Sequence, residues 1–277
     1  MSVAGSAISI GLKPMNYARD IVRSRGIIAE LARREFKARH LGSALGFVWA
    51  FTHPAILMLI YWYVFTYKMA GVGPVDGKPF LLWILAGLVP WFLASDSIAG
   101  GASAITDNRF LVKKVVFRVS LLPVVRLLSN LPVHLFLVLA ITVIFWAKGS
   151  PPSWYNLQIL YYLFALMVLG LGWTLLMSAI VPFLKDVGQI VQVVLQIAFW
   201  VTPLIWHIEG ESRRDQGKAY FNPLTYIVQG YRDSLVFHHP LWENPMRTAY
   251  FWGFTLTLLV VGGLVFSRLR LHFADVL

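Results

Sequence analysis

The residues able to do chemistry are few in this chain, and they stand apart from one another. Two Gly-Lys pairs occur, in "DGKPF" and "QGKAY". Neither has the upstream glycine or the terminal Ser/Thr that a phosphate-binding loop needs to wrap its backbone N–H groups round a nucleotide. There is no HExxH run and no Cys/His cluster at metal-ligand spacing. Without cysteine there is neither a disulfide nor a thiolate nucleophile. The chain is therefore expected to bind no cofactor or metal and to catalyse no reaction of its own. Any work it does draws on a gradient or on a partner ATPase. Asp96 and His134 are the clear ionisable residues inside long apolar runs, and each stands alone. Gradient-driven transporters keep paired carboxylates or histidines within their spans, which counts against that energy source. Asp96, near the end of its run, reads as a residue at the water boundary or bonded to a neighbouring helix, and His134, after Pro132, reads as structural in the same way.

Softer signals remain. Gln189, Gln192 and Gln196 recur at i, i+3 and i+7, one face of a helix. Amides in lipid are costly unless they meet partners or a wet cavity, so this stripe either bonds to another helix or lines a path. Trp49, Phe51, Tyr61, Trp62, Tyr63, Phe65 and Tyr67 crowd one run, and Trp200 and Trp206 mark another. Such residues belt membrane interfaces. Aromatic faces also pack on the C–H faces of sugar rings, and Tyr and Trp donate hydrogen bonds; other hydrophobic cargo would suit them as well.

The elements that position these residues follow from composition. Of 277 residues, 58% are hydrophobic and 13% charged, against about 25% charged in soluble domains. A helix crosses a bilayer with about 20 mostly apolar residues, and six runs qualify: Leu45–Tyr67, Phe80–Ile98, Leu121–Trp146, Tyr155–Pro182, Ile190–Trp206 and Tyr250–Phe266. The expected fold is an all-α polytopic membrane protein. The net charge of +11 follows topology and not nucleic-acid binding. About 16 Lys and Arg fall on the side holding both termini and about 8 on the other. That asymmetry makes both termini cytoplasmic, and basic residues there also attract anionic lipid. The first residues have no apolar core of a cleavable signal; the first span itself targets the chain.

Residues 1–26 read as a cytoplasmic lead, and 27–40 as a helix lying on the membrane surface. Ile27, Ile28, Leu31, Ala32 and Phe36 fall on one arc, and Glu30, Arg33, Arg34 and Lys37 on the other, with Glu35 and Arg39 an (i, i+4) pair on the apolar side. "LGSALG" supplies small residues for the turn into the six-span region, 45–266. Between spans two and three, Thr106 or Asp107 is placed to cap a short helix carrying Phe110, Leu111, Val115, Lys113 and Lys114. A basic-apolar helix there suits docking on a motor domain. The longest loop, 207–247, holds an interrupted apolar stretch, Pro223–Phe237, expected to form re-entrant or interfacial helices. The C-terminus, 267–277, returns to the cytoplasm.

Five stretches in order resemble the membrane subunit of type-2 ABC exporters for polysaccharides, closest to the O-antigen, capsule and teichoic-acid group: "RREFKARHLGSALGFVWAFTHP", "NRFLVKKVVFRVSLLP", "FLKDVGQIVQVVLQIAFWVTPLIW", "NPLTYIVQGYRD" and "FSRLRLHFADVL". The chain departs from the family at Arg118, often proline there, and at Lys185, where the basic residue is usually arginine. The resemblance implies a homodimer in the inner membrane, joined to two separate ATPase subunits that hold the ATP and magnesium. Its cargo would be a polyprenyl-pyrophosphate-linked glycan. It implies an ATPase-coupling helix at 107–117, with Asp107, Phe110, Lys113, Lys114 and Phe117, and a second contact at Lys185 and Asp186. On the same reading Arg33, Arg34, Lys37 and Arg39 lie near lipid headgroups. Tyr61, Tyr63, Gln192, Gln196 and Trp200 line a glycan path between two copies, and Asn222, Pro223, Tyr226 and Tyr231 belong to an external gate. A drug or lipid exporter shares most of these features, and a secondary transporter fewer.

Overall fold

A computed structural model describes residues 14–40, 48–68, 73–113, 117–208 and 213–277. Among them the regular structure is helical, apart from one isolated bridge between Val75 and Lys78. The turn "LGSALG", Lys114 and Val115 lie outside the described residues. In chain order the helices are α1 (Pro14–Arg23), α2 (Arg25–His40), α3 (Val48–Tyr63), α4 (Phe80–Ser103), α5 (Arg109–Val112), α6 (Leu122–Ser129), α7 (Leu131–Ala147), α8 (Gln158–Ile180), α9 (Asp186–Val201), α10 (Arg213–Tyr220), α11 (Pro223–Arg232), α12 (Pro245–Leu269) and α13 (Phe273–Val276). Five stretches, 48–68, 80–103, 119–147, 154–180 and 245–276, are long and apolar enough to cross a bilayer, and α9 is a shorter apolar helix. Hydrocarbon offers no partner for backbone N–H and C=O groups, so such segments close their hydrogen bonds within helices. This is a polytopic membrane protein.

The expected boundaries shift where proline acts. The run read as one span from Leu121 is two helices, α6 and α7, parted at Asn130. Pro132 has no N–H to give and its ring crowds the preceding turn, so a new helix begins with proline in its first turn. The run read as Ile190–Trp206 stops at Val201, and Thr202 is extended with ψ 133°, because the ring of Pro203 disfavours helical backbone in the residue before it. With 16 residues, α9 is about 24 Å long, less than the ~30 Å hydrocarbon core. The expected lead is partly helical, as α1. The short helix between spans two and three is only Arg109–Val112; Asn108 precedes it without a side-chain capping bond, so neither Thr106 nor Asp107 caps it.

The helix at the centre is α4. It is apolar all round, and Leu82–Ala94 is buried without interruption. Around it α8, α7, α9, α6 and α11 pack in turn. Against α12, α8 comes close because both present glycine: a Cβ on Gly262 would lie 2.6 Å from the Gly172 carbonyl oxygen. Two apolar clusters result. One, with Ile28, Ile105, Leu122, Val125, Phe266 and Phe273, lies at the end of the bundle holding α1, α2 and α13. The other, with Trp83, Leu88, Leu169, Ile227, Tyr231 and Phe251, holds α11 against the far end of α4. On α2, Ile28 and Ala32 face inward as the arc predicts, whereas Ile27 is exposed.

Candidate functional site

At the α2 end, charged side chains converge between α2, α4 and α6. Arg126 projects from α6 with only 10% of its side chain exposed. Its Nε donates to the Gly100 carbonyl at 2.8 Å, Nη1 to Glu35 Oε1 at 2.5 Å, and Nη2 to Ser103 Oγ at 2.6 Å and Asp107 Oδ2 at 3.0 Å. Glycine at position 100 makes room, since a Cβ there would sit 2.8 Å from Arg126 Nε. From α2, Arg39 donates to the same Glu35 oxygen at 2.5 Å, to Ser129 Oγ at 2.7 Å and to Asn130 Oδ1 at 3.0 Å. The break between α6 and α7 is what turns Ser129 and Asn130 toward α2. Burial and the neighbouring Arg126 charge pull the Arg39 guanidinium below its ordinary pKa. Beside the cluster is a 330 Å3 cavity lined by Arg39, Asp96, Arg126, Ser129 and Asn130 among others. Two arginines here face three carboxylates, so the cluster is close to neutral. It braces α2, α4 and α6 together and has little surplus field to trap an anion.

The predicted interface residues divide. Arg33, Arg34 and Lys37 lie on the exposed face of α2, Arg34 paired with Glu30 at 2.8 Å. Arg39 instead turns into the cluster. Of the expected docking residues, Phe110 and Lys113 are exposed on and just after α5, while Phe117 is half-buried against the α2-end cluster. Asp107 is engaged by Ser103 at 2.7 Å and by Arg126. Lys185 and Asp186 are exposed where α9 begins.

Tyr61 of α3 stacks on Phe199 of α9, centroids 6.5 Å apart, which brings together the two helices carrying the aromatic and glutamine residues. Tyr63 points elsewhere, to Tyr67 at 5.5 Å and to Lys68 at 5.9 Å. Gln192, Gln196 and Trp200 are exposed on α9. Both α3 and α9 thus turn long faces away from the subunit's own core. The four residues expected at the opposite loop are each built into the subunit. Asn222 caps α11 by accepting from Leu224 N at 3.0 Å and donates to Thr202 Oγ1 at 2.8 Å; Pro223 opens the helix. Tyr226 exchanges hydroxyl bonds with Tyr161 at 3.0 Å and Thr248 at 3.1 Å. Tyr231 bonds His134 Nε2 at 2.8 Å, so His134 is indeed bonded to a neighbouring helix, and Asp96 borders the cavity.

A profile of the ABC-2 type transporter family matches residues 28–236. The chain belongs to that family. It is 31% identical over 264 residues to a protein from Myxococcus xanthus named O-antigen export system permease protein RfbA, covering 94% of this chain and 99% of that one. A protein of the same name from Klebsiella pneumoniae is 23% identical over 91% of this chain and 95% of its own length. The polysialic acid transport protein KpsM of Escherichia coli is 21% identical over 85% of this chain and 90% of its own.

The family match spans α2 through α11 and so includes the charge cluster. Sequence reasoning missed two buried arginines, one in this cluster and one at the far end of α4. Arg126, in "LLPVVRLLSN", falls inside the apolar run Leu121–Trp146 but is not among the ionisable residues singled out there. Arg232, in "IVQGYRD", passed as one more charge of a long loop. The signal was present for Arg126, since a lone arginine flanked by apolar residues in a membrane protein has to find partners inside the protein; Arg232, followed by Asp233, carries no such mark.

Proposed function

We propose that this chain is the transmembrane subunit of an ATP-driven exporter that moves a polyprenyl-linked polysaccharide, O-antigen-like, across the inner membrane. The observation that carries the reading is near full-length similarity to a protein named as an O-antigen export permease, at 31% identity. In the proposed working form two copies associate, each with a separate ATPase subunit that binds ATP and magnesium. The α2 end faces the cytoplasm with both termini, and α9 serves as a sixth, shortened span. Residues 27–40 form the interface helix, 107–117 the motor-docking segment, and 222–237 the external gate, with α11 as a re-entrant helix.

Hydroxyl-rich sugars cannot cross hydrocarbon unaided, since each unpaired polar group costs roughly 2–7 kcal/mol. A path between two copies, walled by α3 and α9, supplies partners. Support comes from the exposed faces of those helices, from Gln192, Gln196 and Trp200 on α9, and from the Tyr61–Phe199 stack joining them. Tyr63 is assigned to the same wall. The exposed Phe110, Lys113, Lys185 and Asp186 suit a docking face for the motor, and Arg33, Arg34 and Lys37 suit lipid headgroups.

The test is reconstitution of the chain with its partner ATPase in liposomes supplied with polyprenyl-pyrophosphate-linked glycan. The expected result is ATP-dependent appearance of glycan on the opposite face. Transport that proceeds with no ATPase present, or transport of a drug with no glycan movement, overturns the reading.

A further inference from the structure

At the α11 end, the last turn of α10 meets the first turns of α12 round an open cavity of 280 Å3. Tyr220, Phe221, Tyr226, Met246 and Tyr250 form its walls, Gly217 stands at one side, and Arg247 is its charged group. The Arg247 guanidinium carbon lies 3.7 Å from the Tyr220 ring centroid. The Tyr250 hydroxyl donates to the Phe221 carbonyl at 2.8 Å, and the two rings meet edge to face, centroids 6.1 Å apart. Although apolar, Phe221 is 70% exposed and Met246 82%, so this subunit does not cover its own cavity wall.

Position along α12 decides what such a surface meets. The helix belongs to a stretch long and apolar enough to cross a bilayer. Met246 and Arg247 stand in its first turn, and Tyr250 is about 7.5 Å along the axis from Pro245. The cavity therefore lies at the rim of the hydrocarbon, where aromatic and arginine side chains collect because one end meets acyl chains and the other headgroups. Asp233 feels the charge of Arg247, yet no carboxylate or other acceptor bonds its N–H groups among the described residues. A guanidinium in that state offers a fork of donors matched to a phosphate. A sugar fits less well, because its hydroxyls need several polar partners. The polar side chains nearby, Gln229, Asp233, Glu243 and Asn244, border an adjoining crevice of only 30 Å3, about one water molecule's share of the liquid, which no sugar ring enters.

We propose that this cavity is a binding site for a phospholipid, with the phosphate on Arg247 and the start of an acyl chain along Phe221, Met246 and Tyr250. The lipid fills the gap between α10 and α12 and covers apolar surface that water would otherwise meet. Only the spanning character of α12 is needed, so the inference stands apart from the export reading. The chemistry recognised is a phosphate on an apolar chain, which a polyprenyl phosphate also carries; phospholipid is the occupant because it surrounds α12 at this depth.

The chain has no cysteine, so a single introduced thiol carries a reporter without background. Ala249→Cys, exposed beside the cavity but not lining it, is labelled with bimane in the full-length chain in detergent micelles. Phosphatidylglycerol bearing a nitroxide high on one acyl chain is then titrated in. Saturable quenching is expected. Arg247→Gln should raise the half-saturation concentration about tenfold or more, the size of one charge-assisted bond lost, and Arg247→Lys should restore part of it. Gly217→Leu keeps the charge and fills the cavity from a position where a Cβ meets nothing within 4 Å. It should weaken binding too, and it decides the matter if Arg247→Gln is not recovered folded. Lys148→Gln, an exposed cation elsewhere, should change nothing, and a nitroxide diglyceride, lacking phosphate, should quench without saturating. An unchanged half-saturation in Arg247→Gln or Gly217→Leu, an equal shift in Lys148→Gln, or saturable quenching by the diglyceride overturns the site. Displacement of the phospholipid by a lower concentration of polyprenyl phosphate overturns phospholipid as its occupant.

Discussion

Replacing Arg126 with methionine removes the donors that join α2, α4 and α6 while keeping much of the side chain's apolar volume. The cost is built from its contacts. The bond to Glu35 joins side chains only 10% and 12% exposed, and taking one partner from such a buried pair costs about 3–5 kcal/mol. Glu35 retains Arg39 at 2.5 Å, so its carboxylate is not orphaned and the lower end applies. Asp107 is 49% exposed, where water leaves about 0–1 kcal/mol to such a pair. The expected loss is therefore about 3–4 kcal/mol, most of it from Glu35 and from the Gly100 carbonyl left without its donor. Reversible unfolding in mixed micelles measures it. A double-mutant cycle with Glu35→Gln should return a coupling of about 2 kcal/mol. A loss under about 0.5 kcal/mol, the range of ordinary surface substitutions, or additive effects of the two changes, would refute the view that this cluster fastens α2 to the bundle.

Other substitutions follow from the same geometry. Gly230→Ala places a Cβ 2.1 Å from Tyr162 Cε1. That ring is held between Tyr161 and Tyr226, so the overpacking should cost about 1–3 kcal/mol in thermal unfolding; an unchanged melting temperature counts against the packing described. The Asp233 carboxyl is raised from 3.8 to about 6, first by burial, then by Glu243 and against His239, Arg247 and Arg232. Its neutral form is favoured in the fold, so its stabilising share is complete below the unfolded value and is lost as pH rises through about 6. With a third of the side chain exposed, screening trims the effect to about 1 kcal/mol; Asp233→Asn should flatten that slope in unfolding measured across this window, and an unaltered slope rejects the assignment. Trp200→Ala should slow glycan export without changing ATP hydrolysis by the complex, and a normal export rate removes it from the path. Lys113→Glu with Lys114→Glu should leave insertion intact but separate ATP hydrolysis from export; undiminished export moves the motor contact elsewhere.

What the sequence determined by itself was local or compositional. Long apolar runs have only one way to satisfy their backbone in lipid, so helical class and the approximate spans were legible. The Glu35–Arg39 pair was legible because helix geometry alone brings i and i+4 together. The stop after Val201 was also written locally, in the dipeptide Thr202-Pro203, although a hydropathy window passes over it. Nothing along the chain says which apolar helix is central: α3 and α4 have similar compositions, yet α4 is enclosed and α3 is left largely exposed. That choice belongs to packing between distant segments. The two buried arginines are the sharpest case. Arg126 stands alone among apolar residues and Arg232 stands beside Asp233, and neither setting points to partners that lie 26, 91, 29 and 149 positions away. A buried cation is stable only where carbonyls, carboxylates or ring faces converge on it, and that convergence is created by the assembled helices.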